Sequence, residues 1–265
     1  MAQQVIKEIV TQKEISPNHF KMVIRAPKIA KEAQPGQFLH LKWVNDLTGQ
    51  DPLLRRPISL NSIDQAKGTI TIIYRVIGRG TKLLSSLQAG DEIDLMGPLG
   101  ESFSVSDSAS KIAIVGGGMG IAPLLPLVNQ LLDLDKQVTL LLGANTKEQL
   151  INLAEYQKLD VNLKIATRDG SCGQQGFITD LLTELSKIDY VYTCGPEIMM
   201  EKVQDWAKQE KIVGEASLEE RMGCGTGACL SCVCKIKVGS KDDWQYQKTC
   251  TQGPIFPLGE VIFGE

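Results

Sequence analysis

The chain has no apolar run near the ~18 residues that a membrane-crossing helix needs. Its richest stretch, LLPLVNQLLDLD, is short and interrupted by polar residues. Its beginning, MAQQVIKEIV, lacks a basic segment followed by an apolar core, so no secretory leader is expected there. Net charge is only −3, which gives no global attraction to nucleic acid or acidic membranes. Histidine is scarce. His19 and His40 both fall in the N-terminal barrel region described below, far along the chain from the cysteine cluster, and neither stands beside a nucleophile suited to acyl or phosphoryl transfer. Internal repeats and low-complexity segments are also missing. The expectation left is a cytoplasmic globular protein. With 265 residues, 43% of them hydrophobic, the chain is long enough for about two domains.

Residues 1–105 read as an antiparallel β-barrel. HFKMVIRAP, GQFLHLKWV, RRPISLNSI, GTITIIYRVI and DEIDLMGP are short runs with β-branched or alternating patterns, separated by turn residues. TKLLSSL is a helical insert, and SVSDSAS (104–110) reads as a polar hinge. From 106 to 212 strands alternate with helices: KIAIVGG, then APLLPLVNQLLDL; QVTLLLGAN, then KEQLINLAEYQKL; NLKIATRDG, then FITDLLTELSKI; YVYTCGP, then EIMMEKVQDWAKQ. That alternation predicts a parallel sheet covered on both faces, suited to a nucleotide. After residue 212 the pattern dissolves, and 213–265 form a third module around a cysteine-rich loop.

That loop, ERMGCGTGACLSCVC, spends four of the chain's seven cysteines. The spacing Cys224-x4-Cys229-x2-Cys232, with Cys250 further on, is that of a plant-type [2Fe–2S] site. Such a cluster carries negative charge and needs amide N–H groups aimed at its sulfurs. Gly223, Gly225 and Gly227 let the chain wrap tightly enough to supply them. A structural zinc site is the rival, but it normally uses two C-x2-C knuckles or Cys/His pairs, and only one C-x2-C is present. Unliganded cysteines would not need the glycines. Cys172, Cys194 and Cys234 are given no ligand role.

RRPISLNS places a cation, a proline and a hydroxyl together, a set that suits a flavin's pyrophosphate, ring and N5 edge. IYR (73–75) and GRGT (78–81) add to it; the latter opens a helix, with a hydroxyl available for phosphate. KIAIVGGGMGIAP sets glycines between a strand and a helix, as a dinucleotide turn requires, with Pro123 where a third glycine usually stands. A bare tight turn is the simpler reading of those glycines. TCGPEIMM supplies a second loop at a strand's C-terminal end. No Asp or Glu ends the second strand of this region, so the usual ribose partner is missing, and the choice between NAD and NADP leans only slightly to NAD.

In this order the motifs resemble the ferredoxin–NADP reductase superfamily and, with a cysteine loop and GPIF tail at the end, the electron-transfer subunits of class B dihydroorotate dehydrogenases. The resemblance spans essentially the whole chain. It implies FAD at Arg56, Pro57, Ile58, Ser59, Ile73, Tyr74, Arg75, Gly80 and Thr81. It implies NAD at Gly117, Gly118, Gly120, Cys194, Gly195 and Pro196, and a [2Fe–2S] cluster on Cys224, Cys229, Cys232 and Cys250. Ile58 departs from the wider superfamily, which often has an aromatic there, and the chain runs on into the cluster module instead of ending in an aromatic over the flavin. No catalytic residue is expected in this chain. The resemblance implies a partner subunit that carries FMN and oxidises dihydroorotate to orotate in pyrimidine biosynthesis, two of each subunit forming a heterotetramer. Electrons would pass from it through the cluster and FAD to NAD+. Alternatives are the electron-input subunit of a sulfhydrogenase or of a bifurcating complex, and a non-catalytic zinc or redox-sensing module.

Overall fold

The computed structural model describes residues 3–44, 52–239 and 243–264. Met1, Ala2 and Glu265, at the ends of the stretches quoted above, lie outside them. Six strands close the N-terminal barrel: β1 (Gln3–Ser16), β2 (His19–Arg25), β3 (Phe38–Trp43), β4 (Arg56–Asp64), β5 (Thr69–Arg75) and β6 (Glu92–Leu99). They run antiparallel in the order β1-β2-β5-β4-β3-β6. The five runs read from the sequence are β2 to β6. The 14-residue β1 was not anticipated, although its half-buried and exposed residues alternate along most of its length. It closes the barrel by pairing with β2 along one part and with β6 along another. That closure removes the sheet edges that would otherwise face water, and Met22, Ile24, Leu39, Leu41, Ile70 and Ile72 fill the interior, inaccessible to solvent. Helix α1 (Pro27–Glu32) and the seven-residue α2 (Arg79–Ser85) lie between strands.

The second layer is a seven-stranded sheet. It comprises β7 (Lys111–Gly117), β8 (Gln137–Ala144), β9 (Asn162–Thr167), β10 (Gln174–Gln175), β11 (Tyr190–Cys194), β12 (Val213–Ser217) and, after the β13–β14 hairpin (Val233–Lys237 and Trp244–Lys248), β15 (Ile255–Pro257). Their order is β10-β9-β8-β7-β11-β12-β15, parallel except for β15. β7 is buried from Ile112 to Gly117 because helices cover both faces, which explains its unbroken apolar run. The order reverses at β7, where β8 lies on one side and β11 on the other. A crevice opens at such a switch point beyond the strands' C-terminal ends.

Helices α3 (Leu125–Asp133) and α5 (Glu197–Glu210) form as the pattern predicts. KEQLINLAEYQKL does not become one helix. A 3-10 turn covers Lys147–Gln149, and α4 is only Leu153–Tyr156. Asn152 between them takes φ +57°, which breaks the helix and turns Leu150 and Ile151 into the core. Ile178–Glu184 is likewise a 3-10 helix. The polar stretch at 104–110 is anchored to the sheet rather than free. The Ser104 hydroxyl donates to Glu215 Oε1 at 2.6 Å, its amide donates to Oε2 at 3.0 Å, and the Tyr192 hydroxyl donates to Ser104 O at 2.7 Å.

The sheet also continues past residue 212. β12 pairs in parallel with β11, and β15 pairs antiparallel with β12. The cysteine segment therefore leaves the sheet at Leu218 and re-enters it at Ile255. The Leu218 amide donates to Pro254 O at 2.8 Å across its mouth.

Candidate functional site

A cavity of about 350 Å3 lies where the barrel, the nucleotide sheet and the C-terminal segment meet. β4 contributes Arg56, Pro57, Ile58 and Ser59 to its wall, and β5 contributes Ile73, Tyr74 and Arg75. Thr81 joins them from α2. Gly80 stands behind this wall as a seat: a Cβ there would collide with Arg56 Nε and lie 2.6 Å from its Cζ. The missing side chain thus lets the guanidinium lie across the start of α2. Arg56 also donates to Leu54 O at 2.6 Å, so the cation is held in place. The Thr81 hydroxyl accepts the Ile77 and Gly78 amides at 3.0 and 3.2 Å. It is committed to the turn, which corrects the expectation that it is free for phosphate. The opposite wall comes from Met119, Ala122 and Pro123, and the floor from Met222, Thr249 and Pro254 of the cysteine segment. One volume is therefore bounded by all three parts of the chain. Its cationic end and mostly apolar walls fit a flavin nucleotide.

A second cavity, of about 480 Å3, sits over the switch point. Gly117, Gly118, Gly120, Gly195 and Pro196 line it. Cys194 does not. Its side chain is buried in the core behind the loop, where burial pushes its thiol pKa up. The two loops touch backbone to backbone. A Cβ on Gly120 would fall on the Cys194 carbonyl, and one on Gly117 would lie 3.0 Å from the Pro196 ring. This is the close approach for which a dinucleotide turn uses glycine. Arg75, Met119 and Glu219 line both cavities, so the two volumes abut. Glu219 is reached through the cavities yet ringed by protein. That burial pushes its pKa up, and the nearby Arg75 opposes the shift.

The cysteine loop has the amide geometry anticipated from its glycines. The Cys224 amide donates to Cys229 Sγ at 3.4 Å, and the Thr226 amide to Cys224 Sγ at 3.4 Å. Gly225 and Gly227 take φ of +71° and +82° to turn the chain around these sulfurs. Hydrogen bonds, chiefly from Thr226, hold the Cys224 thiol down to about 6, and bonds chiefly from Ser231 lower that of Cys229. Cys232 and Cys250 instead form a buried pair packed against Phe38 and Leu99 of the barrel, with Met222 alongside. Burial pushes Cys250 up to about 11, and the adjacent Cys232 adds to the shift. Among the described residues no three His, Cys, Asp or Glu side chains converge as a single-ion site would require. The four thiols, with backbone amides aimed at Cys224 and Cys229, fit the donor set of a [2Fe–2S] cluster. Cys234 turns to the hairpin, its sulfur 3.5 Å from Gln247 O.

His40 overturns one expectation. It is remote from the cysteines in sequence, but its ring lies against their loop: a Cβ on Gly225 would be 2.6 Å from Nδ1. The ring is fully buried, and neither nitrogen has a hydrogen-bond partner among the described residues. Burial first, and Arg55 second, lower its pKa to about 4, so it is neutral at physiological pH. β3 pairs His40 with Pro57 of β4. No sequence signal marks this residue, because only strand pairing brings it to the loop. Glu219, Met222 and Met119 were missed because only the packing of the glycine turn and the cysteine segment around the cavities brings them there.

Comparison with known proteins extends these observations. Curated sequences from Desulforamulus reducens and Shouchella clausii, each described as "Dihydroorotate dehydrogenase B (NAD(+)), electron transfer subunit", are both 39% identical to it. The first match covers 94% of each chain and the second 96%. The chain belongs to this electron-transfer subunit family. A family model described as the iron-sulfur cluster binding domain of dihydroorotate dehydrogenase B matches residues 219–262. An oxidoreductase NAD-binding domain matches 114–205, and an oxidoreductase FAD-binding domain matches 7–103. The chain thus carries FAD-, NAD- and iron-sulfur-binding domains. Among solved structures, an NADH-dependent reduced ferredoxin–NADP oxidoreductase studied for flavin-based electron bifurcation superposes with a TM-score of 0.85 at 31% identity, covering 98% of this chain and 90% of that one. A ferredoxin–NADP+ reductase from Neisseria gonorrhoeae with bound FAD and NADP shares the fold, with a TM-score of 0.66 at 19% identity over 78% of this chain and 91% of that one. Among the described residues no helix is long and apolar enough to cross a membrane.

Proposed function

We propose that this chain is the electron-transfer subunit of an NAD+-linked dihydroorotate dehydrogenase. A separate catalytic subunit carrying FMN oxidises dihydroorotate to orotate, and this chain passes the electrons on to NAD+. Two copies of each subunit form a cytoplasmic heterotetramer. In this reading Cys224, Cys229, Cys232 and Cys250 would hold a [2Fe–2S] cluster. Arg56 neutralises the FAD pyrophosphate. Pro57 and Ile58 give a stiff apolar wall, Ser59 offers a hydroxyl donor, and Ile73, Tyr74 and Arg75 complete the cavity, with Gly80 and Thr81 shaping its cationic end. Gly117, Gly118, Gly120, Gly195 and Pro196 admit the dinucleotide, with Cys194 supporting their loop from behind. When bound, FAD exchanges electron pairs with nicotinamide and single electrons with a cluster, which is why it belongs between them.

One observation carries this reading: a single cavity is walled at once by the β4 and β5 motifs, the glycine turn and the segment bearing the cysteines. The test is Cys250→Ala in the co-expressed complex. Iron and acid-labile sulfide should be lost and dihydroorotate electrons should no longer reach NAD+, while NADH still reduces the flavin. Normal dihydroorotate-to-NAD+ turnover in that variant would refute the circuit. The likeness to the bifurcating oxidoreductase favours a second reading, an electron-input subunit of such a complex. The copurifying protein separates the two: an FMN protein active on dihydroorotate supports the first, a partner active with ferredoxin and NADP the second.

A further inference from the structure

We propose that His40 donates a ring N–H hydrogen bond to a sulfur of the [2Fe–2S] cluster, and so raises the potential at which the cluster accepts an electron. This inference rests on the reading of Cys224, Cys229, Cys232 and Cys250 as the cluster's ligands.

Strand β3 carries the ring to the cysteines. Side chains alternate along a strand, so Leu39 and Leu41 join the barrel core while Phe38 and His40 face the cysteine segment. Phe38 packs against Cys232 and Cys250. His40 lies against Gly225, in the turn between Cys224 and Thr226. Successive positions on one face of β3 thus reach both thiol pairs. Arg55 steadies the strand behind the ring: it pairs with Asp94 at 2.5 Å and reaches the His40 carbonyl at 3.4 Å.

The fit at Gly225 is close. A Cβ there would lie 2.6 Å from Nδ1 and 3.2 Å from Cε1, so glycine lets the loop settle on the polar edge of the ring. The amides on either side of Gly225 already serve sulfur. That of Cys224 donates to Cys229 Sγ, and that of Thr226 to Cys224 Sγ. The imidazole edge therefore stands beside the donors that surround these thiols.

The ring also lacks partners of its own. It is fully buried, and among the described residues neither nitrogen makes a hydrogen bond. Burial lowers its pKa, and the Arg55 and Cys224 backbones oppose that shift without closing a bond of ordinary geometry. A neutral imidazole keeps one N–H, and an unmet buried donor is costly, so an acceptor belongs at this spot. Cluster sulfur is the acceptor that the neighbouring amides already address. Reduction adds a negative charge to it, which strengthens a hydrogen bond and favours the reduced state.

The test uses the full chain loaded with its flavin and cluster. His40→Phe keeps a ring and removes the N–H, whereas His40→Asn keeps an N–H near the place of Nδ1 without the ring. A redox titration followed by EPR should put the His40→Phe cluster about 59 mV below the parent, roughly tenfold in a one-electron equilibrium. His40→Asn should restore most of that difference. In the parent, with isotopically labelled nitrogen confined to histidine rings, pulsed EPR of the reduced cluster should show a nitrogen coupling that both variants abolish. The donor is overturned by a His40→Phe equilibrium within about twofold of the parent, or by a parent without that coupling. It is equally overturned if His40→Phe matches the parent and His40→Asn does not, the order expected of a ring that only fills space. A parent holding no iron and no acid-labile sulfide shows instead that the ligand reading fails, and the donor falls with it.

Discussion

Gly120→Ala tests how the nucleotide loops are built. The added Cβ would overlap the Cys194 carbonyl and lie 2.5 Å from Gly195 N, whereas ordinary van der Waals contact begins at 3.4 Å. The obstacle is backbone, so no side chain can swing aside, and the two loops must separate by about 1 Å to restore contact. Overpacking of this kind costs about 1–3 kcal/mol of stability. The functional loss should be larger. These loops flank the place where nicotinamide meets the flavin cavity, and a misplacement of about 1 Å can lower a rate roughly a hundredfold. Anaerobic stopped flow in the visible absorption band of the oxidised flavin reads the NADH half-reaction directly. Gly259→Ala is the control, since a Cβ there meets nothing within 4 Å. If Gly120→Ala reduced its flavin at a rate within about threefold of the parent, the close backbone approach would not be setting dinucleotide geometry.

Two further outcomes follow from residues outside the glycine turn. Arg56→Ala should weaken FAD retention by roughly 10–100-fold, the worth of a charge-assisted contact, with Arg56→Lys intermediate; ultrafiltration of the holoprotein measures it, and full retention in the alanine variant would remove Arg56 from the site. Burial pushes the Glu215 carboxyl up against the opposing hydrogen bonds from Ser104. Its folded pKa then exceeds its unfolded one. The stability it contributes is present below the ordinary carboxylate range and is lost as pH rises through the folded value. Glu215→Gln should therefore gain on the parent in urea unfolding midpoint as pH rises above the ordinary carboxylate range, and parallel curves would show that Glu215 is not the group responsible.

Much of this molecule could be read from its residues, and the limits have physical causes. The cysteine spacing and its glycines prescribe a local chemistry within fifteen residues, so the loop's amide-to-sulfur contacts followed directly. Alternation exposed five barrel strands, and β1 was passed over because its long run carries so many charges. VGEAS, the whole of β12, has too few apolar side chains to announce a strand; its place is set by pairing with β11 and β15. The helix expected after β8 failed at Asn152, whose backbone reversal no periodicity could reveal. His40, Glu219 and Met222 are invisible for another reason. They acquire meaning only when β3, the cysteine segment and the glycine turn are brought to one place.

The excursion from Leu218 to Pro254 has both its feet in neighbouring strands of one sheet, with the barrel's Phe38 and Leu99 gripping its buried thiol pair. Among the described residues both feet are tied into the sheet, so swinging the whole segment aside would mean unzipping β12 from β15. The spacing between thiols and flavin cavity is thus a constant of the architecture, like that of parts soldered to a common board.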